Sequence, residues 1–103
     1  MREVNPVTRM LLRLNMVMRS FKDKGDYPML YVIDRIGDRR DVVVLIVDIL
    51  YDDMEKAEEL VKKLLEHLDS YNINVINHTM ASYIIPNKEV WRFVAMVSVN
   101  LNQ

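Results

Sequence analysis

The chain has 103 residues and a mass of 12.2 kDa, which suits one domain (1–103) and is too short for two ordinary ones. Half of the residues are apolar and 28% are charged, so a disordered or collagen-like chain is excluded. The net charge of −1 disfavours a strongly basic nucleic-acid binder, and the absence of Cys excludes disulfides, thiolate metal sites and thiol nucleophiles.

No segment of the sequence resembles a membrane span or a secretory signal. The chain begins Met-Arg-Glu without an apolar signal core, and its longest wholly apolar run, residues 42–47, has six members. A membrane-spanning helix needs roughly 20 apolar residues. We therefore expect a soluble, cytoplasmic protein that does not associate with membranes.

The first periodic segment predicts a helix followed by a β-hairpin. Asn5 suits the N-cap and Pro6 the first helical position, and Gly25 is expected to end the helix in the left-handed conformation. Two strands, residues 28–36 and 42–51, then surround a tight turn. Apolar residues at helical spacing define the inner face of the helix: Val7, Met10, Leu11, Leu14, Val17, Met18 and Phe21.

The same order of elements then repeats. Asp52 or Asp53 is expected to cap a second helix, and Asn72 to end it. Residues 73–85 and 90–101 are predicted strands around a second turn. The chain therefore reads as two αββ units, about 1–51 and 52–103, and a shift of 50 residues brings the apolar positions of the two helices into register.

Two αββ units predict an α+β fold with one four-stranded antiparallel sheet and both helices on one face. By connectivity this plan is similar to a circularly permuted ferredoxin-like arrangement. That resemblance is to a fold shared by many unrelated proteins, and it implies no function by itself.

The strands carry more apolar residues than a sheet covered on one face requires. Residues 42–47 are apolar at every position, and Val94 and Met96 place apolar side chains on the second face of the last strand. An uncovered apolar sheet face marks an interaction site. We therefore expect a two-fold homodimer that forms through this face.

The outer face of the first helix combines apolar and basic residues. Residues 1–24 hold six basic and two acidic residues, and the tip of the first hairpin adds two arginines. Such a surface fits another protein or the phosphates of a nucleic acid, although no aromatic residue is interleaved for base stacking. The candidate partner-binding residues are Arg9, Leu12, Arg13, Met16, Arg39 and Arg40.

Chemistry-bearing motifs are sparse. Asp48, Asp52 and Asp53 are weak candidates for a Mg²⁺ or Ca²⁺ site, but two of them lie where a helix N-terminus favours acidic residues. His67 and His78 lack a second ligand nearby, and two glycines cannot build a phosphate loop. We expect no cofactor, no bound metal and no catalytic residue.

The sequence therefore favours a small non-enzymatic protein that self-associates and acts as a protein–protein interaction or assembly module. The first alternative is a nucleic-acid-binding dimer that uses the basic face of the first helix and the first hairpin tip. The least favoured alternative is an enzyme with a carboxylate–metal centre.

Overall fold

The computed structural model describes residues 5–99, which form two helices, each followed by two strands. The molecule measures 51 × 28 × 22 Å along its principal axes. This element order confirms the α+β class. The elements are α1 Pro6–Gly25, β1 Met29–Arg35, β2 Val43–Ile49, α2 Met54–Ser70, β3 Ile73–Ile85 and β4 Lys88–Val99.

The strands form one antiparallel sheet in the order β1-β2-β4-β3. In the central pair, Val43 lies opposite Val97 and Ile49 opposite Trp91. A β-bulge interrupts the pairing of β3 with β4 between residues 75 and 77. β1 and β3 are therefore the edge strands, and the apolar β2 lies inside the sheet.

α1 begins as predicted but ends differently. The Asn5 side chain accepts a hydrogen bond of 2.8 Å from the Val7 amide. The predicted left-handed Gly25 is wrong, because Gly25 belongs to the helix and Asp26 adopts the left-handed conformation with φ 47°. Gly25 is needed for another reason, since a Cβ there would collide with the Tyr27 ring.

α2 begins with a predicted cap, and the predicted Asn72 follows its end. The Asp53 carboxylate accepts a hydrogen bond of 2.9 Å from the Glu55 amide, which satisfies one free donor of the first turn. After the helix, Asn72 is left-handed with φ 60°, as expected. Within residues 5–99, neither helix is long and apolar enough to cross a bilayer.

One apolar core joins alternate strand positions to both helices. In β2 the buried residues are Val43, Leu45, Val47 and Ile49, which alternate with half-buried ones. Each fully buried side chain of this size stabilises the fold by roughly 1.5–3 kcal/mol. The same core includes Phe93, Ala95, Val97 and Val99 of β4, Val7, Met10, Leu14, Val17, Met18 and Phe21 of α1, and Ala57, Leu60, Val61, Leu64 and Leu68 of α2.

Candidate functional site

The strand positions that alternate with the core carry an apolar surface. Val32 lies opposite Ile46, and Ile46 lies opposite Val94 on the next strand, so the three form a row across the sheet. Leu30 and Val32 are 58% and 59% exposed, and the central residues are half-buried. We call this surface the open face; its apolar members are Leu30, Val32, Val44, Ile46, Val94 and Met96.

A charged pair borders one end of the open face. The Arg92 guanidinium donates hydrogen bonds of 2.8 and 3.1 Å to the two carboxylate oxygens of Asp48. It also lies over the Tyr83 ring, 4.8 Å from the centroid. The hydrogen bond from Arg92 lowers the pKa of Asp48, although partial burial opposes this, and Asp48 raises the pKa of Arg92. Both charges are thus engaged within one protomer.

The four candidate residues of α1 lie together. Leu12 and Met16 are 58% and 70% exposed. Arg13 donates a hydrogen bond of 3.4 Å from Nη2 to the carbonyl oxygen of Tyr71, and its buried Nε has no hydrogen-bond partner among residues 5–99. We call the depression of about 580 Å³ at this position the α1 groove; it is lined by Arg9, Leu12, Arg13, Met16, Val17, Ser20 and Tyr71.

Three residues of the groove, Val17, Ser20 and Tyr71, are not among the candidates predicted from the sequence, and Tyr71 is the one that lies outside α1. Tyr71 is the C-cap residue of α2 and is 41% exposed. A turn at the following Asn72 was the available signal, because the chain leaves the helical path there. The contact with Arg13 spans 58 residues and depends on how the two helices pack.

The two arginines of the first hairpin tip do not line the groove. Arg39 donates two hydrogen bonds of 2.9 Å to the carboxylate of Asp41, two residues away. This contact raises the pKa of Arg39 and lowers that of Asp41. Arg40 is exposed in the same turn. The charge of Arg39 is therefore balanced inside its own turn.

The three candidate carboxylates have separate surroundings. Asp48 lies in β2 and binds Arg92, Asp53 caps α2, and Asp52 is exposed in the connection between them. Across residues 5–99, no group of three or more His, Cys, Asp or Glu side chains is arranged to hold a metal ion.

The histidines pack against aromatic rings. His67 Nε2 lies 3.2 Å from the carbonyl oxygen of Val17, and its ring lies 5.2 Å from Phe21 and 5.0 Å from Tyr71, measured between centroids. His67 therefore joins α2 to α1. The ring centroid of His78 lies 5.5 Å from that of Phe93.

Comparison with family models, curated proteins and solved structures gave no match to this chain.

Proposed function

We propose that this protein is a small non-enzymatic module that self-associates through the open face and binds another protein through the α1 groove. The observation that carries the proposal is the row from Val32 to Val94, an exposed apolar side chain beside half-buried ones on adjacent strands. Contiguous apolar surface of this kind is typical of an interaction site.

The energetics favour a contact between two copies. Fully burying a Val or Leu side chain contributes roughly 1.5–3 kcal/mol, and Leu30 and Val32 are each more than half exposed. A two-fold contact uses the same patch twice, so six open-face side chains become twelve. If each of these side chains contributes about 1 kcal/mol, their total is comparable with the association cost of about 4–15 kcal/mol.

The repeat and the permuted ferredoxin-like arrangement are part of the proposal. The strand order maps onto itself when β1 exchanges with β3 and β2 with β4. Equivalent positions of the two helices, 50 residues apart, are also both buried: Leu14 matches Leu64, and Met18 matches Leu68. We take both helices to cover the core side of the sheet, which leaves the open face uncovered.

The α1 groove fits a protein better than a nucleic acid. Two of its exposed members are the apolar Leu12 and Met16, which offer nothing to a phosphate. Arg39, which a nucleic-acid interface was expected to use, is already paired with Asp41. We place the action of this module in the cytoplasm as part of the proposal.

Sedimentation equilibrium of the purified chain tests the proposal. We expect a mass of at least twice 12.2 kDa at micromolar concentration. Val32→Asp should raise the dissociation constant by about tenfold or more, because it places a carboxylate within the apolar contact. Circular dichroism checks that the variant is folded, and Val32→Lys repeats the test with the opposite charge.

Met54→Asp is the matched control, because Met54 is a 50% exposed apolar residue outside both surfaces. An acidic residue is also favourable in the first turn of α2, so the control should remain folded. A wild-type protein that sediments at 12.2 kDa would contradict the proposal. So would equal weakening by Met54→Asp and Val32→Asp.

A further inference from the structure

β3 is an edge strand with an unpaired outer side. It is the last strand in the sheet order, and β4 is its neighbour on the inner side. Most of its residues from 76 onward are exposed; the exceptions are the half-buried Met80 and Tyr83. Over residues 5–99, no strand lies against the outer edge of β3, so its outward backbone groups are available to a further strand.

The sequence of β3 lacks the features that protect edge strands. Its 13 residues, Ile73–Ile85, include no Asp, Glu, Lys, Arg, Pro or Gly. β1, the other edge strand, has seven residues and ends in Asp34 and Arg35. Natural proteins block edges with charge, proline, bulges or short strands, and β3 has only the bulge near its start. The segment from 77 to 85 is therefore free to pair.

The distal part of β3 extends beyond the length of α2. Thirteen strand residues span about 44 Å, whereas the 17 residues of α2 span about 26 Å. On the extended part Ile84 is 82% exposed and Ile85 is 40% exposed. Both are large apolar side chains, and a strand added alongside would cover part of their surface.

We infer that residues 77–85 of β3 pair antiparallel with the same segment of a second copy and continue the sheet across a two-fold axis. Composition favours a second copy as the occupant, because a strand without charged residues meets no like charge when it faces itself. A pairing centred on Ala81 places Thr79 opposite Tyr83 of the partner subunit. It also places Ile84 opposite the partner's His78, so the most exposed apolar residue gains a neighbour.

This contact does not rest on the open-face proposal, because it uses the edge of the sheet and not its surface. If both contacts form, each copy has two different two-fold interfaces. The assembly then exceeds a dimer, either as a closed tetramer or as an open chain. The two contacts can be removed one at a time.

The test is the double variant His78→Lys with Ser82→Lys. Both positions are exposed and lie on the side of β3 opposite the open face. In the paired state the introduced ammonium groups of the two copies would lie on adjacent diagonal positions and repel. Ser82→Lys alone is the second variant, because His78 packs against Phe93 and its loss affects the monomer. Val32→Lys is the matched control, with the same new side chain on the open face.

Hydrogen exchange of the β3 amides at two protein concentrations, with sedimentation equilibrium, gives the result. In the wild type and in Val32→Lys, we expect exchange in residues 77–85 to slow at least about tenfold at high concentration. In the lysine variants of β3 it should not depend on concentration, and their mass should fall.

Concentration-independent exchange in the wild type would overturn the β3 pairing, as would an unchanged mass in the β3 variants. If Val32→Lys alone lowers the mass, the open-face contact stands and the β3 contact fails. If only the β3 variants lower the mass, the β3 contact stands and the open-face contact fails. The β3 amides could instead be protected from exchange only when an extended peptide of another protein is added. That result would overturn the second copy as the occupant.

Discussion

The Asp48 carboxylate shows how strongly the role of one residue depends on its cross-strand neighbour. In the sequence, Asp48 ends an apolar run and is a weak candidate for a metal ligand. The β2–β4 register instead places it directly opposite Arg92, 44 residues away, where two hydrogen bonds engage both of its oxygens. These hydrogen bonds stabilise the ionised form and lower its pKa.

Asp48→Asn should therefore destabilise the fold in a pH-dependent way. A carboxyl group whose pKa is lowered on folding contributes stability above its unfolded pKa, near the ordinary 3.8, and loses that contribution as pH falls through the folded pKa. In urea unfolding, we expect a gap between wild type and Asp48→Asn at neutral pH. The gap should begin to close below 3.8 and should keep closing as pH falls through the lowered folded pKa of Asp48.

Arg92→Gln tests the same interaction from the other side. Without the Arg92 guanidinium, the pKa of Asp48 returns toward its ordinary value, so this variant should be less stable than wild type over the same pH range. A gap between wild type and Asp48→Asn that stays constant from neutral to acid pH would show that the ionised form of Asp48 is not stabilised by Arg92 in the folded state.

Residue roles that depend on local chain geometry were predictable. Asn5, Asp53 and Asn72 act within one helical turn, and the structure places them as expected. Gly25 was assigned the wrong role because its constraint is the Tyr27 ring, whose position depends on how the chain turns toward β1. The Asp48–Arg92 pair was not predictable, because it depends on the register of two strands that are separated along the chain by a helix and a third strand.

At the scale of elements, α1 has one face in the core and one in solvent. One leucine on each face allows the two faces to be compared directly. Leu14 is fully buried and Leu12 is 58% exposed. Leu14→Ala should cost about 2–5 kcal/mol of unfolding free energy, because it removes buried methyl groups and leaves a cavity. Leu12→Ala should change it by less than about 0.5 kcal/mol. Thermal or urea unfolding of both variants measures the difference, and equal losses would contradict the packing of α1.

The positions of the helices and strands were predictable from periodicity and turn residues. The ends of the strands depend on which residues pair across the sheet. β3 has the predicted bounds, Ile73–Ile85. β4 begins at Lys88 and not at residue 90, because Asn87 adopts φ 65° and closes a short turn that pairs Ile85 with Lys88. The predicted end of this strand at Leu101 lies outside the described residues. β1 and β2 are shorter than predicted, since only Met29–Arg35 and Val43–Ile49 face each other.

At the scale of the whole molecule, self-association through an apolar face predicts a characteristic response to salt. Screening weakens contacts between exposed charges but not the burial of apolar surface. The mass measured by sedimentation should therefore not fall between about 50 and about 500 mM NaCl. The chain's net charge of −1 gives little repulsion for salt to relieve. A steep loss of mass with salt would indicate that basic and acidic surfaces hold the copies together.

The class of the fold was predictable from element order, because two helices and four strands in this sequence have few ways to bury their apolar faces together. The α1 groove was predictable only in part. Its α1 side follows from helical periodicity, whereas Tyr71 comes from the end of α2 and joins through tertiary packing. The open face was visible in the sequence as the unbroken apolar run of residues 42–47.

The elongated outline of the molecule has a hydrodynamic consequence. Its radius of gyration is 14.3 Å, against about 13 Å for a compact domain of about 100 residues. An elongated particle diffuses more slowly than a sphere of the same mass. A single copy will therefore elute early from a gel-filtration column calibrated with globular standards, and its apparent size will mimic that of a larger species.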